Sequence, residues 1–245
     1  EFQDLNQAQL TMAFKALKPG GKLIMFGDFY QNIYKWRLSD NSIIKSLQKE
    51  TSTKTLPLPI SYRCPEKVIE LAQKVVPGIV AAPGAKEGVI DYISYNKFIE
   101  NVNVGSVVLS RTNAPLIKAC MKLLKQGKRV NILGKDIGED LIFIINKSKK
   151  KSIKDFLNWL DIYVREQLDF LKSRNMPVDL ILDKQECLLS LCEEVKSVAD
   201  LKKEILSLFD YQDGSNIILF SSVHRFKGKE SNSVYVFKWT LSYDQ

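Results

Sequence analysis

Short apolar runs that end in glycine or polar residues recur along this chain and restrict its fold more than any other feature. The runs are residues 22–26 (KLIMF), 89–94, 106–110 (SVVLS), 129–133, 217–220 and 234–237. Buried strands of parallel sheets have this continuous apolar character. The pattern therefore predicts an α/β fold with parallel strands, in which ligands bind beyond the carboxyl ends of the strands.

Helical segments separate most of these runs. Apolar residues at helical spacing predict helices over 7–17, 41–49, 66–76 and 115–126. The last of these lies between 106–110 and 129–133, which predicts a right-handed parallel crossover. Residues 134–210 show helical spacing and no clear strand, so we expect an all-helical insertion there.

Two residue counts exclude whole classes of chemistry. His224 is the single histidine of the 245 residues, which excludes two-histidine zinc sites and HExxH metalloproteases within the chain. Any Ser-His-Asp or Cys-His machinery would have to use His224. The cysteines form no CxxC pair and predict reduced, buried thiols rather than disulfides; they are Cys64, Cys120, Cys187 and Cys192.

The charge balance is compatible with a polyanionic partner. The chain has 36 Lys plus Arg against 28 Asp plus Glu, a formal charge of +8, although many basic proteins bind no polyanion. The densest basic run, Lys147–Lys154, favours a solvated turn. No apolar run approaches the ~18 residues of a membrane span, so we expect a cytoplasmic protein without a membrane partner. Because the chain begins with Glu1 rather than Met, we expect it to be part of a longer protein.

Two polar clusters near the start of the chain are candidates for phosphate chemistry. Glu1–Asp4 is a short acidic run, and Asp28 and Gln31 follow the apolar run 22–26. A carboxylate at a strand end can hold Mg²⁺ or orient the water that attacks a γ-phosphate. The adjacent Tyr30–Arg37 interleaves aromatic and cationic residues, as surfaces that stack nucleic-acid bases do. The alternative is a loop with two core aromatics.

Two later segments also carry candidate residues. Tyr62 and Arg63 precede a helix, and an arginine there could neutralise charge on a transferred phosphoryl group or form a structural ion pair. Residues 222–230 follow a buried strand and contain His224 and Gly228, whose missing side chain lets a ligand approach the backbone. His224 could equally be a structural histidine. No GxxxxGK[ST] sequence is present, so the chain cannot cradle nucleotide phosphates by itself.

The order of these segments resembles a known family. EFQDLN, GDFYQNIYKWR, ISYRCP and SSVHRFKGKE resemble motifs II, III, IV and V of superfamily 1 helicases, specifically the UvrD/Rep-like DNA helicases. The resemblance implies a RecA-like P-loop NTPase helicase core. Residues 1–55 would end the first RecA-like domain, 56–133 begin the second, 134–210 form the helical insertion, and 211–245 return to the second domain. The Walker A motif would precede Glu1 and motif VI would follow Gln245.

The resemblance also implies residue roles in ATP hydrolysis. Glu1 would polarise the attacking water, Gln31 would sense the γ-phosphate, and Arg63 would act as an arginine finger. The nucleotide would also be contacted by Tyr62, Gly228 and Glu230. The Mg²⁺-binding aspartate would lie just before Glu1, so this chain holds no complete metal site.

The implied nucleic-acid contacts come from motifs III and V; they are Tyr34, Trp36, Arg37, His224 and Lys227. Two positions depart from the family pattern, Tyr30 before the motif III glutamine and Lys229 in motif V. Neither has an assigned role in hydrolysis, so we expect them to tune activity rather than abolish it.

The resemblance implies an ATP-dependent DNA helicase of repair or replication, in a bacterial or phage-infected cell, with ATP and Mg²⁺ as cofactors. It would move 3′ to 5′ on single-stranded DNA and open single/double-strand junctions. The 245 residues alone would be inactive, because the N-terminal part of the same protein is required. The alternatives are a catalytically inactive single-stranded nucleic-acid-binding relic, the helicase part of a helicase–nuclease, or a scaffolding protein.

Overall fold

A computed structural model describes residues 1–33, 53–193, 195–210 and 216–241. It confirms a mixed α/β chain with parallel strands. The chain divides between residues 92 and 93 into two compact units, which are described separately below. The predicted domain boundaries at residues 55, 133 and 210 remain predictions. No described helix is long and apolar enough to cross a membrane.

The first unit begins with a 3-10 turn, Phe2–Asp4, and helix α1, Gln7–Lys15. Asn6 starts the helix through a reciprocal cap: its Oδ1 accepts from the Gln9 N–H at 3.0 Å, and Gln9 Oε1 accepts from the Asn6 N–H at 3.0 Å. Leu10 is the buried residue of the helix. The helix predicted over 7–17 is therefore confirmed, with its end two residues earlier. The helix predicted over 41–49 lies outside the described residues.

A small parallel pair of strands follows in the first unit. Strand β1, Ile60–Ser61, pairs with β2, Val80–Ala81, and helix α2, Glu66–Gln73, connects them. Pro65 precedes the helix, where its fixed φ is tolerated. The predicted helix over 66–76 is confirmed and ends at Gln73, whose Nε2 donates to the Ile79 carbonyl at 2.8 Å.

The predictions of strands at 22–26 and 89–94 are wrong. Residues 22–26 and 89–94 have no strand assignment, and Ile24, Phe26 and Val89 are 75%, 67% and 85% exposed. An apolar run predicts that a segment prefers burial, but a strand also needs a neighbour that accepts its backbone hydrogen bonds. Among the described residues, the backbone hydrogen bonds of 22–26 to another segment involve only the Phe26 carbonyl, which accepts from the N–H groups of residues 1 and 2.

The second unit contains a four-stranded parallel sheet. Its strands are β3, Val107–Ser110; β4, Val130–Ile132; β5, Ile218–Ser222; and β6, Val234–Val236, in the spatial order β4-β5-β3-β6. Helices α3, Tyr95–Asn101, and α4, Ala114–Lys125, precede and follow β3. The strands predicted at 106–110, 129–133, 217–220 and 234–237 are confirmed. So is the parallel relation of β3 and β4, with β5 between them.

In the described residues between β4 and β5, the structure forms four helices. They are α5, Lys135–Ser148; α6, Ile153–Ser173; α7, Asp179–Cys192; and α8, Val198–Phe209. The helical character predicted for 134–210 is confirmed. The residue pair Ser152–Ser197 forms an isolated antiparallel bridge between two of their connections. Their apolar faces share one core cluster with the sheet, for example Leu141, Phe156 and Leu188 with Phe220.

Asp183 of α7 connects the helices between β4 and β5 to helix α4, which follows strand β3. Its carboxylate accepts from the Asn113 N–H at 2.9 and 3.0 Å, from Asn113 Nδ2 at 2.7 Å and from the Ala114 N–H at 3.0 Å. These groups form the N-terminus of α4, where Asn113 makes no side-chain cap of its own. A helix N-terminus carries orphan donors and partial positive charge, so a carboxylate from another helix supplies the cap.

We predict that Asp183→Ala lowers the free energy of unfolding by about 1–3 kcal/mol, because it leaves the α4 donors without their acceptor. Glu186→Ala is the matched control on the same helix. Glu186 pairs with Lys118 at 3.0 Å, but both side chains are more than half exposed, so its loss should cost no more than about 1 kcal/mol. Urea unfolding measures both variants. Equal unfolding free energies would contradict a capping role for Asp183.

Candidate functional site

The start of the chain runs beside the end of the segment 22–26. The amino group of Glu1 donates to the Phe26 carbonyl at 2.6 Å, and the Phe2 N–H donates to the same oxygen at 3.1 Å. This pairing brings Glu1 next to the loop that begins at Gly27. Two segments 25 residues apart therefore contribute to one polar cluster.

Gln3 joins the two segments. Its side chain is 1% exposed; Nε2 donates to Glu1 Oε2 at 2.6 Å, and Oε1 accepts from the Asp28 N–H at 3.2 Å. The Gln3 carbonyl accepts from Asn32 Nδ2 at 2.9 Å. A buried amide with both ends hydrogen-bonded has a defined orientation, because reversing it would break both bonds.

Asp28 extends the connection to Gln31. Its Oδ1 accepts from the Tyr30 N–H at 2.9 Å and caps the 3-10 turn Phe29–Gln31, and its Oδ2 accepts from Gln31 Nε2 at 2.9 Å. Glu1, Gln3, Asp28 and Gln31 thus form one hydrogen-bonded chain, which we call the Gln3 network. Glu1 and Gln31 at its two ends are solvent-exposed, so both predicted residues are accessible to a ligand.

Gly27 leaves the room that the Gln3 network needs. A Cβ at position 27 would lie 2.6 Å from Cδ1 of Phe2 and would collide with Oε1 of Gln3. Phe2 is itself held edge-on against Phe29, with ring centroids 5.3 Å apart. The close approach, rather than an unusual backbone angle, accounts for glycine at this position.

We predict that Gly27→Ala destabilises the first unit by about 1–3 kcal/mol, because either Gln3 or Phe2 must move. Gly78→Ala is the control, since its Cβ would meet nothing within 4 Å; we expect it to be neutral or stabilising by up to about 1 kcal/mol. Amide hydrogen exchange across residues 2–31 gives the readout. Unchanged protection in Gly27→Ala would contradict the close packing.

Tyr62 and Arg63 lie directly after β1. Both are exposed, Tyr62 to 83%, and they follow the carboxyl end of a parallel strand, where α/β sheets place their ligands. Tyr34, Trp36 and Arg37 lie outside the described residues. The positions of Tyr62 and Arg63 are compatible with ring stacking and charge neutralisation, and their roles remain predictions.

In the second unit, the loop after β5 holds the remaining predicted residues. Ser222 Oγ accepts from the Arg225 N–H at 3.4 Å and starts the short helix α9, Val223–Phe226. Phe226 is buried and fixes this helix to the unit. Lys227, Gly228 and Glu230 follow. Gly228 has φ +83°, and a Cβ added there would meet nothing within 4 Å, so glycine is needed for its backbone angle rather than for space.

His224 contacts a residue that the sequence analysis missed. Nη1 of Arg111 lies 2.9 Å from Nδ1 and 2.7 Å from Nε2 of His224. Arg111 directly follows β3, and β3 pairs with β5 in parallel, so the two strand ends are neighbours. A polar residue immediately after the run 106–110 was the signal that could have identified Arg111, as it identified Asp28 after 22–26.

The described residues do not form a metal site. They contain no group of three or more His, Cys, Asp or Glu side chains that could hold an ion. The Gln3 network contains two carboxylates. Glu1 accepts a hydrogen bond from Gln3 Nε2, and Asp28 accepts one from Gln31 Nε2. The described residues therefore do not by themselves complete a Mg²⁺ site.

The cysteines are free, which agrees with reduced thiols. Cys120, Cys187 and Cys192 are buried, whereas Cys64 is half-buried. Burial raises the pKa of the Cys120 and Cys187 thiols well above the usual range, with further increases from Glu204 and from Asp183, respectively. Burial also raises the pKa of Cys192 to about 11. Because the thiolate is the nucleophile, these three residues are poor candidates for covalent catalysis.

We predict that Cys64 is alkylated first by iodoacetamide at pH 8. At that pH only about one Cys192 thiol in a thousand is ionised, and Cys120 is enclosed in the core. The thiolate fraction of Cys192 rises with pH, so its labelling should accelerate towards pH 10 without unfolding. Mass spectrometry of timed samples measures the order. Labelling of Cys120 before Cys64 would contradict the packing of the core.

Comparison with known proteins agrees with the sequence resemblance in the first part of the chain. Residues 1–52 match the family model described as UvrD/REP helicase N-terminal domain. That segment contains Glu1, Gln3, Asp28 and Gln31, all the residues of the Gln3 network. No curated protein matches the chain.

Proposed function

We propose, from the match of residues 1–52 to the UvrD/REP helicase N-terminal domain, that the chain is part of an ATP-dependent DNA helicase that translocates on single-stranded DNA, 3′ to 5′. The observation that carries the proposal is the Gln3 network, in which the family segment connects the Glu1 carboxylate to the loop residue Gln31. A helicase motor must couple hydrolysis to its DNA contacts. The network joins the two proposed hydrolysis residues, and Gln31 lies a few residues before the proposed DNA contacts Tyr34, Trp36 and Arg37 in the sequence.

In this proposal Glu1 orients the attacking water and Gln31 contacts the γ-phosphate. Glu1 is exposed, and its carboxylate is held by Gln3 Nε2 at 2.6 Å. This donor orients the carboxylate, whose two oxygens have further acceptor positions with which to take a proton from water. Gln31 is held by Asp28 at 2.9 Å, so a phosphate that recruits Gln31 would compete with that bond.

The proposed nucleotide contacts in the rest of the chain are Tyr62, Arg63, Gly228 and Glu230. The exposed ring of Tyr62 supports stacking on adenine, and the adjacent Arg63 supports stabilisation of transferred charge. Gly228 supports a close backbone approach, since a Cβ added there would meet nothing within 4 Å. ATP and Mg²⁺ are the proposed cofactors. The phosphate-binding loop and the Mg²⁺-binding aspartate belong to sequence that these 245 residues do not contain.

The proposed nucleic-acid contacts are His224 and Lys227 after β5, together with Tyr34, Trp36 and Arg37. The contact of Arg111 with His224 supports this side of the proposal, because it adds a permanent positive charge at the same sheet edge. Single-stranded DNA and its junctions with duplex are the proposed partners. The RecA-like core and the status of 134–210 as an insertion are parts of the same proposal.

The decisive experiment tests Arg63 in a protein that joins this chain to a GxxxxGK[ST] loop. We predict that Arg63→Ala lowers DNA-stimulated ATP hydrolysis by about 10³-fold, because charge on the transferred phosphoryl group loses its arginine. Lys67→Ala is the control, a cation of the following helix that pairs with Glu87 at the surface. Steady-state phosphate release measures both variants.

Wild-type turnover in Arg63→Ala would overturn the assignment of Arg63. Binding of single-stranded DNA with no hydrolysis, even when the phosphate loop is present, would support the nucleic-acid-binding relic instead.

A further inference from the structure

Trp239 is an exposed aromatic residue at the carboxyl edge of the second sheet. It lies in the 3-10 turn Lys238–Thr240 that follows β6, and 56% of it is accessible to solvent. Single exposed apolar residues are common on protein surfaces, so exposure alone assigns no role. The ring contacts of Trp239 and the hydrogen bonds of the neighbouring Thr240 give more specific evidence of a role.

The indole ring rests on a firm support. It is stacked on Phe237, with ring centroids 4.6 Å apart and an interplanar angle of 19°, and meets Tyr95 edge-on at 6.1 Å. Phe237 is only 3% exposed and also packs against Phe98 of the core. One face of Trp239 is thus fixed on the core, while more than half of the residue remains accessible.

Thr240 connects this ring to the end of β3. Its Oγ1 accepts from the Arg111 N–H at 3.0 Å and from Ser110 Oγ at 3.2 Å, and donates to the Phe237 carbonyl at 2.7 Å. Arg111 in turn contacts His224 after β5. Neighbouring strands lie about 5 Å apart, so the segments that carry Trp239, Arg111 and His224 meet at the carboxyl ends of β6, β3 and β5.

We propose that Trp239 is a base-stacking platform for single-stranded nucleic acid, with Arg111 and His224 contacting the phosphates next to the stacked base. The inference rests on the proposed function and extends it to residues outside the four motifs. A flat ring beside cations is how proteins hold a strand without reading its sequence. ATP has the same combination of base and phosphate, but it requires a phosphate cradle, and the chain has no GxxxxGK[ST] loop. A strand is therefore the occupant that this edge fits.

The first test is the affinity of the full 245-residue chain for a fluorescein-labelled oligo-dT, measured by fluorescence anisotropy. Trp239→Ala should weaken binding about tenfold, within the range that loss of one stacked base gives, and Trp239→Phe should retain most of the affinity. Phe170→Ala is the matched control, an aromatic residue of α6 that is 48% exposed. Arg111→Ala should reduce the dependence of log affinity on log salt by about 0.7, the value for one phosphate contact.

The second test reads the ring directly, since Trp239→Ala could also disturb the Phe237 cluster. Phe replaces Trp36 and Trp159 together, so that Trp239 is the only tryptophan left. Oligo-dT should quench its emission in parallel with binding, while ATP at the same base concentration should not. Quenching by ATP alone would overturn the assignment to a strand.

The outcomes separate the two proposals. The stacking platform would be overturned if Trp239→Ala bound oligo-dT as tightly as the wild type and if oligo-dT left the Trp239 emission of the single-tryptophan variant unchanged. The helicase proposal would then still stand. Absence of oligo-dT binding by the wild-type chain at low salt would overturn the stacking platform, whereas the helicase proposal is tested separately by ATP hydrolysis in the protein that carries the phosphate loop.

Discussion

The parallel order of β4, β5, β3 and β6 is the constraint on which the second unit depends. Parallel strands all end at one edge, so whatever follows each strand in the sequence meets there. Arg111 follows β3, His224 follows β5 and Trp239 follows β6, and they come from positions up to 128 residues apart. Their proximity is a consequence of strand pairing alone, and it needs no local sequence motif.

The position of His224 at this edge also depends on helices α5 to α8, because they lie between β4 and β5 in the chain. The chain leaves the sheet after β4, forms helices α5 to α8 and returns as β5 beside β4. Asp183 of α7 caps α4, and the ion pair of Arg225 with Asp136 joins α9 to the first turn of α5. The loop that carries His224 is thus held on one side by the sheet and on the other by the helices that precede it.

The sequence predicted the second unit better than the first, for a physical reason. Runs such as 106–110 and 217–220 became strands because other strands pair with them on both sides. Residues 22–26 have the same apolar character, but only the carbonyl of Phe26 takes part in a described ladder with residues 1 and 2. Hydrophobicity reports the tendency of a segment to be buried, whereas a strand depends on a partner that composition does not reveal. The helix starts at Asn6, Ser152 and Ser197 depend on side-chain caps that span three residues, so their cause is local in the sequence.

The residues of the candidate site also differ in whether the sequence alone could identify them. Glu1, Asp28 and Gln31 could be identified from sequence because each belongs to a segment with a recognisable order of residues, whereas Gln3 could be assigned only from its buried bonds to both segments. Arg111 and Trp239 needed the strand order as well. In the proposed motor, the hydrolytic residues and most nucleic-acid contacts lie in contiguous motifs. Arg111 and Trp239 differ, because strand order brings their segments to the edge that carries His224, and position after an apolar run is the local signal that Arg111 offers. Substitutions at that edge should therefore be tolerated by the fold more readily than changes to Gly27, since Trp239 and Arg111 are exposed and the Gln3 network leaves no room.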